Sequence, residues 1–164
     1  MDSTLLINTS ILEILTPLCS PVHPAWVDEH TTAIATSMAV LRSANGELFL
    51  VAPCEVEQPD AYPSLGLSLE SCDSDVLQWV RDGQAYSMRP LPDATELLPF
   101  LVTHTEESDA LGEGPVSEVV LVGPDGSRLL FRHIMPPMTL GIEVLRPGQS
   151  PNNSFKGMPL RGTP

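Results

Sequence analysis

The chain has 164 residues, with 42% hydrophobic and 18% charged residues, enough apolar content for one folded domain. It carries 21 acidic residues against eight basic ones, a formal net charge of −13 that repels nucleic acid and anionic membrane surfaces. No apolar run approaches the roughly 20 residues needed to span a bilayer, and Asp2 and Glu13 do not fit a signal peptide.

From the N-terminus, Asp2 or Ser3 can cap a first helix. Ile7, Ile11 and Ile14 follow at spacings of four and three, one apolar stripe of a helical face that Pro17 would end. Cys19 to Trp26, with Pro21 and Pro24, reads as an extended connector. His23 and His30 are seven apart, too far for one metal on a helix, so no metal or other cofactor is expected.

Ala33 to Leu41 is apolar and rich in small or β-branched residues. Asn45-Gly46 and then Leu48 to Val51 follow, which predicts a hairpin closed by a type I′ turn and stopped at Pro53. Leu65, Leu67 and Leu69 alternate as a third strand would. Near the C-terminus, Val119 to Val122, Asp125-Gly126 and Leu129 to Phe131 predict a second hairpin. Past Pro136-Pro137, Leu140, Ile142 and Val144 add a third strand there. A shift of 80 residues lays Asn45-Gly46 on Asp125-Gly126 and Leu41 on Leu121; the third strands match as Leu65-Gly66-Leu67 against Leu140-Gly141-Ile142. Internal duplication of a three-stranded meander explains this, and so does the general likeness of any two hairpins.

Between the meanders, Asp73 or Ser74 can cap a short helix through Val76, Leu77 and Val80 that ends at Gly83. The same letters also spell a hairpin around Asp82-Gly83, and we favour the helix. Asp93 and Glu96 resemble a capping box opening a helix through Leu97, Leu98, Leu101 and Val102. Thr105 to Pro115 is polar and acidic and reads as a surface loop. The expectation is a single α+β domain over residues 1–146. Its antiparallel sheet has about six or seven strands from two hairpin-based units, two or three short helices flank it, and residues 147–164 form a flexible tail.

Cys19, Cys54 and Cys72 are odd in number and unpaired in spacing, which suits reduced thiols in the cytoplasm. No G-x-S-x-G or phosphate-cradling glycine loop occurs. Thirteen of the acids lie between Glu55 and Glu113, opposed only by Arg81 and Arg89. Laid on one side of the sheet, Glu55, Glu57, Asp60, Glu70, Asp73, Asp75, Glu106, Glu107, Asp109 and Glu113 would form a negative face. Tyr62 and Trp79 could both serve as aromatic anchors in it, although for Trp79 a place in the core is the favoured reading.

The leading expectation is therefore a non-enzymatic protein that masks or holds a basic partner protein. In size, charge and element order the chain resembles small acidic immunity proteins and the acidic α+β chaperones of bacterial secretion systems. No motif carries that resemblance, so no residue role follows from it. The alternative is a small enzyme or ligand-binding domain with a pocket near Cys54, His104 and His133. A third reading, one subunit of a homo-oligomer, would show as a self-complementary apolar patch.

Overall fold

A computed structural model describes residues 1–17, 34–59, 62–91, 94–134 and 138–150. Their architecture is mainly antiparallel β, in two sheets packed face to face. Among the described residues no α-helix is formed: Ser3–Leu6 and Ser74–Leu77 are single 3-10 turns, and the expected α-helices are absent there.

One sheet has the order β5-β4-β3-β1-β7-β6, made of Ser64–Cys72, Leu48–Val56, Ala39–Ser43, Ser10–Pro17, Gln84–Pro90 and Gln78–Arg81; the short β8, Phe100–Leu101, also pairs with β1. The other has the order β2-β12-β11-β10-β9, made of Ile34–Thr36, Thr139–Leu145, Arg128–Ile134, Glu118–Val122 and His104–Ser108. Ile11, Ile14, Leu41, Phe49 and Val51 from the first sheet meet Val119, Leu121, Leu129, Phe131 and Ile142 from the second in one buried cluster. This aliphatic core is what fixes the sandwich.

The first segment is a strand where its spacing predicted a helix. β1 pairs Ile11 with Ser43 but Glu13 with Arg42, so an extra residue bulges out at Leu12. The bulge lets Ile11 and Ile14, three apart, both face the core with exposures of 0% and 1%. A bulged strand thus imitates a helical stripe. Asp2 does cap what precedes it, accepting a hydrogen bond from the Thr4 amide at 3.1 Å in the Ser3–Leu6 turn.

The apolar run that begins at Ala33 is divided. β2 joins one sheet, the chain bends at exposed Ser37, and β3 joins the other. Pro53 does not stop β4 but pairs with Leu67 inside it. β3 ends at Ala39, opposite Val51, so the missing proline N–H faces no ladder on that side.

The hairpin turn after β3 is not of type I′. Gly46 alone takes a positive φ, 88°, with the Ser43 amide donating to the Glu47 carbonyl at 2.9 Å and the Gly46 amide to Ser43 at 3.1 Å. The turn between β10 and β11 repeats it. Gly126 has φ 84°, the Gly123 amide donates to Ser127 at 2.8 Å, and the Gly126 amide to Gly123 at 3.1 Å. Arg42 faces Leu48 as Val122 faces Arg128, and Leu41 faces Phe49 as Leu121 faces Leu129. The 80-residue shift therefore holds in register as well as in letters. The third strands align two residues away from the sequence match, since Pro53 faces Leu67 where His133 faces Leu140.

Gln78 to Pro90 is the hairpin β6–β7, which corrects the favoured helix. Asp73 stands at the N-cap of the short turn before it without a side-chain capping bond. Here the turn is the type I′ kind, with Asp82 at φ 53° and Gly83 at 75°. Asp93 lies outside the described residues. After it, Ala94 to Leu97 makes one turn, closed by the Leu97 amide on the Ala94 carbonyl at 3.0 Å, and β8 replaces the expected helix. The first part of the expected loop, Thr105 to Ser108, belongs to β9. At the C-terminal boundary, residues 146–149 form a turn in which the Gln149 amide donates to Arg146 at 3.0 Å, and Arg128 donates to the Gln149 carbonyl. The rest of the expected tail, 151–164, lies outside the described residues.

Candidate functional site

The acidic band is divided by the register of the β4–β5 hairpin. Glu55 faces Leu65 near the closed end, whereas Glu70 faces Leu50 toward the open end. Five strand residues separate Glu55 from Leu50, about 17 Å at the usual rise. Glu55, Glu57 and Tyr62 cluster at the closed end. Glu70, Asp73 and Asp75 gather where Leu48 faces Cys72. The acids thus form separate groups rather than one continuous face, with Glu106 and Glu107 apart from both on β9 of the other sheet. Asp60 lies outside the described residues.

The closed end is built by a loop, residues 109–117, laid along the outer edge of β5. The Leu67 amide donates to the Val116 carbonyl at 2.8 Å, and the Leu65 amide donates to Glu113 Oε2 at 2.8 Å. Asp109 organises the loop. Its carboxylate accepts the amides of Gly112 at 2.7 Å, Glu113 at 3.1 Å and Gly114 at 2.7 Å. These bonds, led by that from Gly114, hold its carboxyl below the usual carboxylate range. Glu107 is also committed to backbone, accepting the Ser3 amide at 2.7 Å. Sequence reading missed that Glu107, Asp109 and Glu113 hold the fold together.

The remaining candidates are exposed, and none of their carboxylates makes a hydrogen bond or ion pair among the described residues: Glu55, Glu57, Glu70, Asp73, Asp75 and Glu106. Three arginines are engaged elsewhere. Arg42 pairs with Glu13, Arg132 with Glu118 and Arg146 with Glu96, so none of these cations neutralises a candidate carboxylate. Tyr62 is 94% exposed among the closed-end acids.

Cys54, His104 and His133 do not assemble a pocket among the described residues. His104 is exposed at the start of β9. His133 is only 1% exposed, and its Nδ1–H donates to the Gly66 carbonyl at 2.8 Å. Cys54 faces Gly66 across the hairpin, half-buried, and burial pushes its thiol up, away from the reactive thiolate. Cys72 is raised likewise, by burial first and then by Asp73 and Glu70. A void of about 10 Å³ in the core is lined by aliphatic and aromatic side chains such as Leu6, Leu41 and Phe131, with no titratable group. No three His, Cys, Asp or Glu side chains among the described residues are placed to hold a metal ion. No helix among them is long and apolar enough to cross a membrane.

Sequence reading also took Trp79 for core. It stacks instead on Tyr86, ring centroids 5.7 Å apart and planes 13° apart, in the β6–β7 hairpin. The cross-strand pairing follows from the Asp82-Gly83 turn, the signal that would have found it.

Comparison with known protein families, with curated proteins and with solved structures finds no match for this chain.

Proposed function

We propose that the protein is a non-enzymatic binding module that masks or holds a basic partner protein in the cytoplasm, in the manner of an immunity protein or a secretion chaperone. The observation that carries this reading is a set of carboxylates that pair with no cation among the described residues. Glu55, Glu57, Glu70, Asp73, Asp75 and Glu106 stand exposed while Arg42, Arg132 and Arg146 are paired with other acids. Unpaired surface carboxylates cost little in water but create a field that accelerates capture of a cationic surface. Tyr62, almost fully exposed among them, is the kind of amphipathic side chain that anchors such contacts. The same field disfavours nucleic acid and anionic membranes. Free thiols at Cys54 and Cys72 suit a reducing compartment.

The enzyme alternative has less behind it. His133 is sealed from solvent by its bond to Gly66, and the Cys54 thiol is held protonated by burial.

The test is affinity capture from the source cells at low salt, followed by association kinetics with the purified partner. Replacing Glu55, Glu57, Asp73 and Asp75 with lysine should slow association and flatten its salt dependence while leaving the far-ultraviolet circular dichroism unchanged. Unchanged kinetics in the folded variant would remove the acidic surface from the account.

A further inference from the structure

Among the described residues the β6–β7 hairpin reaches beyond the strand that carries it. Only Met88, Arg89 and Pro90 pair with β1, opposite Pro17, Thr16 and Leu15, so the Gln84 to Ser87 half of β7 has β6 as its strand neighbour. Among the described residues β6 is the last strand of the sheet. In a two-residue type I′ hairpin the residues flanking the turn, here Arg81 and Gln84, exchange both backbone hydrogen bonds. Alternation then makes Trp79 and Tyr86 a bonded pair and turns the backbone groups of Val80 and Gln78 to the outer edge. The Gln78 amide is taken by the Asp75 carbonyl. Both backbone groups of Val80 and the carbonyl of Gln78 therefore face outward with no neighbouring strand among the described residues. The Val80 side chain is 72% exposed, and Tyr86, on the opposite face of the hairpin, is 36% exposed.

From this edge we infer that β6 is the docking site for an extended cationic segment of the partner protein, which adds to the sheet as a further strand. The inference rests on the proposed function and deepens it by saying where, and in what conformation, the basic partner binds. Main-chain bonds to Val80 would set the register. A residue opposite Val80 places its side chain on the Val80 and Ala85 face, where an apolar group fits. Its neighbours fall on the Trp79 and Tyr86 face, where an arginine or lysine finds aromatic rings. Asp73 and Asp75, at the start of β6, supply the complementary charge. A second copy of this chain is the poorer occupant, because two bodies of charge −13 repel.

The test uses the full chain and a blocked peptide of alternating valine and arginine, with two controls: the same peptide N-methylated on the backbone, and its glutamate counterpart. The arginine peptide should bind, shift the Trp79 indole resonance, and protect the Val80 amide from exchange about tenfold or more. N-methylation should weaken binding roughly tenfold, and the glutamate peptide should not bind. In the protein, Val80→Pro removes the outward N–H while sparing the β6–β7 ladder and should abolish binding; Asp73→Asn with Asp75→Asn should weaken it more at low salt than at high. Absence of binding, binding without protection at Val80, or indifference to N-methylation would overturn the proposal, and the peptide controls decide it even if the proline variant does not fold. Dimers in sedimentation that Val80→Pro dissolves would assign the edge to a second copy instead. If the edge proves idle while the four lysine replacements still slow capture of the native partner, the acidic reading survives and only its location is wrong.

Discussion

The ring of His133 donates from Nδ1 to the carbonyl of Gly66 at 2.8 Å, a bond that runs from the middle of one sheet to the edge strand of the other. The His133 amide meanwhile donates to Ser117 at 2.9 Å, and the neighbouring Leu67 amide donates to Val116. Three segments are thereby tied at one corner. Gly66 lets the segments approach closely there, since a Cβ would lie 3.1 Å from the Pro115 Cβ and 3.2 Å from the Val116 carbonyl oxygen.

His133→Phe keeps the ring volume but removes a buried hydrogen bond to the Gly66 carbonyl, which also faces Cys54 in the β4–β5 ladder, at a cost of about 1 kcal/mol. Gly66→Ala forces the 109–117 loop away from β5 and should cost roughly 1–3 kcal/mol. Urea unfolding measures both. If either variant matched the parent midpoint and slope, the corner would not be a structural tie.

Arg132 and Glu118 form an ion pair with side chains only 7% and 17% exposed, facing each other across β10 and β11. Breaking it by Glu118→Gln leaves the guanidinium buried and under-compensated, a loss of about 3–5 kcal/mol. Arg42 and Glu13 make a pair at 3.2 Å with both side chains 41% exposed, and Glu13→Gln there should cost at most about 1 kcal/mol. Thermal or chemical unfolding of the two glutamine variants should rank them in that order.

Asp109 predicts an acid-sensitive loop. Its folded pKa is depressed below the unfolded value near 3.8 by backbone amides, so its contribution is present above that pH and is lost as pH falls through the lower folded value. Asp109→Asn should therefore expose the Gly112 and Gly114 amides to faster exchange at neutral pH. The difference from the parent should shrink only once the pH falls well below the usual carboxylate range, where the parent carboxylate is itself protonated. Hydrogen exchange followed across that range tests the sign; a difference that grew on acidification would contradict it.

The sequence disclosed the hairpins and hid much else, for identifiable physical reasons. Turn glycines write their demand locally, which is why Gly46, Gly83 and Gly126 all mark real reversals with positive φ. A bulge is written nowhere locally. Leu12 looks like any exposed leucine until its partner strand shows the shift from Ser43 to Arg42, and without that shift Ile11 and Ile14 read as a helix. β9 was hidden because its Thr105, Glu106 and Glu107 are polar, as suits an edge strand that must not recruit others. Of the candidate site, the count of carboxylates was legible but their separation was not. Only pairing shows that Glu55 and Glu70 sit at different ends of one hairpin, and only coordinates show Glu107, Asp109 and Glu113 gripping backbone amides.

The passage of the chain from β2 to β3 has a bearing on how this molecule could be dissected. Residues 34–36 complete the sheet otherwise made by the C-terminal half, while residues 39–43 sit at the centre of the other. A gene cut midway, however closely its two pieces echo each other, would deprive each product of something the other encodes. The two halves are married rather than merely adjacent, and neither should be expected to survive as a freestanding module.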